Sequence, residues 1–279
     1  MKKILTAVLT LALAVSVAGC GAKTTATTAA ETTTAAETTT AAETTTAAET
    51  TTAAETTVAE NEAAEGVMTY AEYVAAELDT EVTVETYVQA KQSWWEDKAT
   101  VYTQDEDGAY FLYNMACSEE DFEKLVPGTK IRVNGYKAEW SGEVEIVDAT
   151  FEIIEGNYIA PVLDVTELLA NEEELIKHQN EFVSFKGMTV EASKDAEGND
   201  VAFLYNWDGS GQDGNDLYFN VSKDGQTYNF TVESYLCDNT TDVYAAVKAL
   251  EIGDVIDMEG FLYWYEGVNP HITAVTAAE

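Results

Sequence analysis

One pattern occurs twice in this chain, and it narrows the fold more than any other feature. Gly128-Thr129-Lys130-Ile131-Arg132-Val133-Asn134-Gly135-Tyr136 is matched by Gly253-Asp254-Val255-Ile256-Asp257-Met258-Glu259-Gly260-Phe261, glycine on glycine and aromatic on aromatic at unchanged spacing. The same parts precede it in both halves. Val82, Val84, Thr86 and Val88 alternate in one half, and Val183, Phe185, Gly187 and Thr189 in the other. Period-two alternation predicts strands with one face in a core and one in water. A middle strand then leads to a cysteine: Tyr110 through Ala116 to Cys117, and Phe230 through Leu236 to Cys237. A helix signal follows each cysteine. Ser118 and Asp121 have capping-box spacing ahead of Phe122 and Leu125, and Thr240-Thr241-Asp242 precedes Val243, Val247 and Leu250. After each glycine-flanked strand come an aromatic turn and a last strand, through Ile146 and through Ile272. A short helix start opens each half, at Thr69–Val74 and at Asp164–Leu169.

Three strands, a helix and two strands, with a glycine in the fourth strand, resemble the OB-fold. The resemblance implies a mainly β protein with two tandem OB-fold-like five-stranded barrels, each carrying a short helix, at 67–156 and 157–279. An immunoglobulin-like sandwich needs about seven strands and no mid-domain helix, and the capping signals oppose it. The connection around Gly156–Pro161 is short, which predicts little hinge freedom.

Charge limits what such barrels could hold. The chain has 51 acidic and 14 basic residues, a formal net charge of −37. Both halves share the imbalance, with 20 acids against 6 bases in residues 67–156 and 23 against 5 in 157–279. Nucleic acids are held largely by Lys and Arg on phosphates, so a nucleic acid is not an expected partner. With three Cys and two His a Cys/His zinc cluster is not expected, and a disulfide-stapled scaffold is excluded.

The first 66 residues read as address and spacer. Lys2 and Lys3 precede an apolar run from Ile4 to Val17, too short to span a bilayer. Val17-Ala18-Gly19-Cys20 then resembles a bacterial lipobox. The resemblance implies a signal peptide at 1–19, acylation of Cys20, and a mature protein anchored to a membrane through acyl chains, outside the cytoplasm, facing cell wall or exterior. Residues 21–66 contain 18 Thr, 15 Ala and 8 Glu, with Glu recurring every six residues from 31 to 55. A period of six suits neither helix nor strand, and no large apolar residue precedes Val58, so 20–66 is expected to be a disordered tether. As a flexible coil it would reach about 40 Å.

OB-folds bind ligands, oligosaccharides among them, on a face bordered by the loops after strand one and between strands four and five. The aromatic residues expected at those edges are Trp94, Trp95 and Trp140 in the first half, and Trp207, Tyr263, Trp264 and Tyr265 in the second. Their rings suit stacking on sugars, or packing inward as strand residues. Asp208, Asp213 and Asp216, in a Gly- and Asp-rich loop, are hard oxygen donors that suggest weak Ca2+ binding, although Asp213 stands where an EF-hand needs Gly. No other cofactor is expected. Cys117 and Cys237 read as two buried, inert thiols. His178 and His271 lack a partner pattern for base catalysis, and no phosphate loop, nucleophile elbow or zincin helix occurs. The expectation is a non-catalytic, lipid-anchored surface protein that binds a glycan or a protein. An acidic assembly subunit of a surface complex, or a nucleic-acid-binding accessory of an extracellular nuclease system, are the alternatives.

Overall fold

A computed structural model describes residues 64–278. The leader, Cys20 and nearly all of the tether fall outside the described residues. Among the described residues no helix is long and apolar enough to cross a membrane.

The first barrel begins at helix α1 (Tyr70–Ala75), started by a full capping box: Glu72 N donates to Thr69 Oγ1, and the Glu72 carboxylate accepts from Thr69 N. Strand β1 (Glu81–Lys91) buries Val82, Val84, Thr86 and Val88, the alternation expected from sequence. β2 (Lys98–Gln104) and β3 (Ala109–Ala116) follow, then α2 (Glu119–Lys124), β4 (Thr129–Trp140) and β5 (Glu143–Asn157). Ser118 caps α2 by accepting from Asp121 N at 3.1 Å. The five strands close in the order β1-β2-β3-β5-β4, with β3 and β5 parallel and the other pairs antiparallel.

The second barrel repeats this plan. After α3 (Glu172–Leu175) come β6 (Phe182–Glu191), β7 (Leu217–Lys223), β8 (Gln226–Val232), α4 (Asp242–Lys248), β9 (Val255–Phe261) and β10 (His271–Ala277). β6 pairs with β7 and β9, β7 with β8, β9 with β10, and β8 meets β10 in parallel, so this barrel also closes with five strands. The repeated glycine has one role in both. A Cβ on Gly135 would lie 2.8 Å from Val147 O, and one on Gly260 would lie 2.3 Å from His271 O. Each sits at a bulge where the fourth strand presses on the fifth, a place only a bare backbone fits.

Two readings change. The middle strand of the second half ends at Val232, not near Leu236. There the Glu233 carboxylate accepts from Tyr235 N and Leu236 N, and Cys237 N donates to Glu233 O, which turns the chain. In β6 the expected alternation slips after Phe185: Gly187 takes φ +61, and Met188 and Val190 are buried in place of Gly187 and Thr189. In β2 six consecutive residues are buried, because one face lines the barrel and the other meets the second barrel. Cys117 and Cys237 are buried free thiols, as expected, and burial pushes both up to about 11.

The barrels fall within one compact unit and pack on each other through rings. Tyr102 of β2 stacks on Phe261 of β9 at 4.3 Å between centroids, and Phe111 and Phe182 complete the cluster. Tyr102 Oη lies 2.8 Å from His271 Nδ1. Phe182 N donates to Gln104 Oε1 (2.8 Å), Ser93 N to Tyr235 O (2.7 Å) and Glu266 N to Ser141 O (2.7 Å).

A carboxyl group sits in the same seam. Glu143 is fully buried, and its Oε2 accepts from Trp264 N (2.9 Å) and Gln179 Nε2 (3.0 Å). Its Oε1 and the Oδ1 of the neighbouring Asn180 are both buried without a partner. Burial is the largest influence on this carboxyl and holds it well above the usual carboxylate range, so it keeps its proton.

Two outcomes are expected. Phe261→Ala should cost about 3–5 kcal/mol and split the denaturant transition of the barrel pair into two, read by fluorescence and circular dichroism together. A single coincident transition would show that other contacts couple the barrels. For Glu143, the unfolded chain sheds its proton in the ordinary carboxylate range while the folded chain keeps it. Stability therefore falls as pH rises from that range, by about 1.4 kcal/mol per pH unit for one proton. Glu143→Gln keeps an acceptor for Trp264 N and Gln179 Nε2 but has no proton to titrate, and should flatten the wild-type slope by that amount in denaturant melts across pH.

Candidate functional site

The seam opens on one side into a groove of about 390 Å³, within the usual range for small-ligand pockets. The first barrel supplies Gln92, Ser93 and Trp95 from the β1–β2 loop, Lys98 and Thr100 from β2, and Phe111, Tyr113 and Asn114 from β3. The second supplies Glu233 and Tyr235 from the turn after β8, Tyr263 from the β9–β10 loop, and His271 from β10.

Local backbone sets each ring. Trp95 and Lys98 pair across a tight turn whose central residues, Glu96 and Asp97, both have positive φ. That turn holds Trp95 outward at 68% exposure. Its neighbour does the reverse. Trp94 donates its indole N–H to Cys117 O at 2.9 Å and pins the loop to the end of β3. Asn114 adopts φ +51 beside a bulge and donates its N–H to Thr100 Oγ1, which bends β3 and leaves Tyr113 exposed. Phe111 stacks against Tyr113, Tyr263 meets Phe111 edge-on at 5.4 Å, and Tyr263 stacks on His271 at 4.2 Å. Tyr235 is exposed at the opposite lip.

The electrostatics follow from burial. His271 is buried against Tyr102 and driven down to about 3, so its imidazole is neutral at physiological pH. Burial, with Asp216 nearby, raises Glu233 to about 7. Lys98 is the one Lys or Arg lining the groove.

The rings expected from sequence separate into five places. Trp95 and Tyr263 meet in the groove, and Trp94 lies behind it as a strut. Trp140 and Tyr265 pair at 5.1 Å where the two strand-four-to-five turns meet. Trp207 stands alone on the long loop before β7, 76% exposed. Trp264 is corrected: it is 4% exposed in the second core and packs against Gly142, so its indole is not a ligand face.

The three aspartates suggested for Ca2+ each have a protein partner. Asp213 pairs with Lys248 and accepts from Asn239, Asp216 accepts from Ser234 N and Oγ, and Asp208 accepts from Ser210 N. The three carboxylates thus face three different partners, and no metal-binding group of three His, Cys, Asp or Glu occurs among the described residues.

Phe111, Tyr113, Glu233, Tyr235 and His271 were missed as site residues. In sequence the first four lie on segments that run toward cysteines, and His271 opens the last strand. Only the packing of one barrel on the other brings them together, and no spacing within either half reports that packing.

Sequence comparison finds no matching family model and no matching curated protein. Among solved structures the chain is similar to the tetrameric p202 HIN2, at 12% identity and TM-score 0.31, covering 73% of this chain and 96% of that one. It is also similar to a murine DNA-binding protein bound to double-stranded DNA, at 11% and 0.32, covering 71% and 96%. The third is the Ifi202 HINa domain in complex with a 20-base-pair duplex, at 10% and 0.32, covering 72% and 97%. A likeness at this level concerns the fold and assigns no ligand to this chain.

Proposed function

We propose that this chain is a non-catalytic carbohydrate-binding protein, displayed outside the cell membrane on acyl chains at Cys20, which takes glycan in the inter-barrel groove. The observation that carries the reading is the convergence of Trp95, Tyr113, Tyr235 and Tyr263, from both barrels, on one recess with amide and hydroxyl side chains between them. Ring faces stack on the apolar faces of sugars, and Gln92, Asn114 and Ser93 suit their hydroxyls. The recess fits a few sugar units. A protein partner would need a surface of about 800 Å² on each side. One carboxylate and one neutral imidazole line it, whereas glycoside hydrolysis ordinarily takes a carboxylate pair.

Phosphate-bearing ligands meet a chain of net charge −37 and one groove lysine, a field that repels them. The acidic tether and lipobox-like leader support display at a distance from a membrane.

Tryptophan fluorescence titration against an oligosaccharide panel checks the reading. At least one sugar should bind, Trp95→Ala should weaken it about tenfold or more, about 1.4 kcal/mol, and Trp207→Ala should leave it unchanged. Single-stranded and duplex oligonucleotides belong in the same titration. Binding to them with no response to any sugar overturns the proposal in favour of a nucleic-acid accessory. Separately, Cys20→Ser should move the protein from the membrane to the soluble fraction, and retention in the membrane would remove the anchor.

A further inference from the structure

The groove holds an acid without a counter-charge. Glu233 is 9% exposed and lines the recess. Its carboxylate accepts from Tyr235 N at 3.1 Å and Leu236 N at 3.0 Å, both within its own turn, and it belongs to none of the ion pairs found among the described residues. Lys98 lines the same groove without pairing to it. The groups that face it do not help. Tyr102, Tyr218, Tyr263 and Cys237 are held neutral by burial, His271 is neutral, and Asp216 adds a second negative charge.

A buried carboxylate in this setting is costly unless a cation arrives. The walls around it are ring faces, whose negative quadrupoles also attract cations. One ligand group answers both features, an ammonium, and among sugars it is carried by an amine that has not been acylated.

We propose that the groove selects glycans bearing free primary amines, the ammonium seated against Glu233 between the rings of Tyr235 and Tyr263. This rests on the glycan reading above and narrows it. An N-acetylated sugar stacks on the same rings but leaves Glu233 unpaired. A neutral hexose chain does likewise. A carboxylated sugar is repelled.

The test compares three hexasaccharides on the intact chain by tryptophan fluorescence at neutral pH, where sugar amines and Glu233 are both partly charged: glucosamine, N-acetylglucosamine and glucose oligomers. Glucosamine hexasaccharide is expected to bind at least tenfold tighter than the other two. Glu233→Gln should erase that preference, bringing the amine oligomer's affinity to within about twofold of the acetylated oligomer's on the same variant, and Tyr235→Ala, at an exposed position with little risk to folding, should weaken the amine oligomer about tenfold. Because the substitution alters one of 51 acidic groups, a preference that survives Glu233→Gln is bulk attraction of a polycation and overturns the proposal. Equal or tighter binding of the acetylated oligomer overturns amine selection and leaves the glycan reading standing. Silence from all three, together with the wider panel, overturns both.

Discussion

The stack of Tyr102 on Phe261 is the contact on which the rest depends. It joins strand two of the first barrel to strand four of the second, and Tyr102 carries its hydroxyl on to His271. Large rings in offset contact bury much area and add a directional preference. They hold Trp95 and Tyr113 on one side of the groove at a fixed distance from Tyr235 and Tyr263 on the other. Burial in the same cluster keeps His271 uncharged. Geometry and electrostatics of the recess therefore have one source.

Much of the fold was legible in the residues, for reasons that can be named. Alternation in β1 reports burial on one side because that strand has a single buried face. Gly135 and Gly260 report the bulge because no side chain fits between the fourth and fifth strands. The β2 strand was opaque for the opposite reason. Its two faces are both covered, so Val101, Tyr102 and Thr103 show no periodicity. The site was half legible. Trp95 and Tyr263 belong to the loops where OB-folds bind ligands, and they could be found by position. Glu233 could not, since its importance comes from a turn after β8 and from the opposing barrel.

Adjacent residues of one type divide labour along the chain. Trp94 and Trp95 differ by one position, yet one is tied to Cys117 O and the other projects into solvent. Trp264 and Tyr265 repeat the arrangement in the second half, one in the core and one at the surface. In each pair the inner ring fixes the loop, and the outer ring loses little further freedom when a ligand stacks on it. The acid groups divide similarly. Among the described residues most acids are exposed and set the field, whereas Glu143 and Glu233 are buried and placed by named hydrogen bonds.

Gly142 has φ +93, and a Cβ there would come within 2.9 Å of Trp264 Cδ1. The hairpin of one barrel is thus keyed into a ring from the other. Each repeat has given up part of its autonomy: a longer or bulkier tip on the first would unseat the second. The two copies are bound to drift as a couple, with any lengthening of one rim answered by its twin.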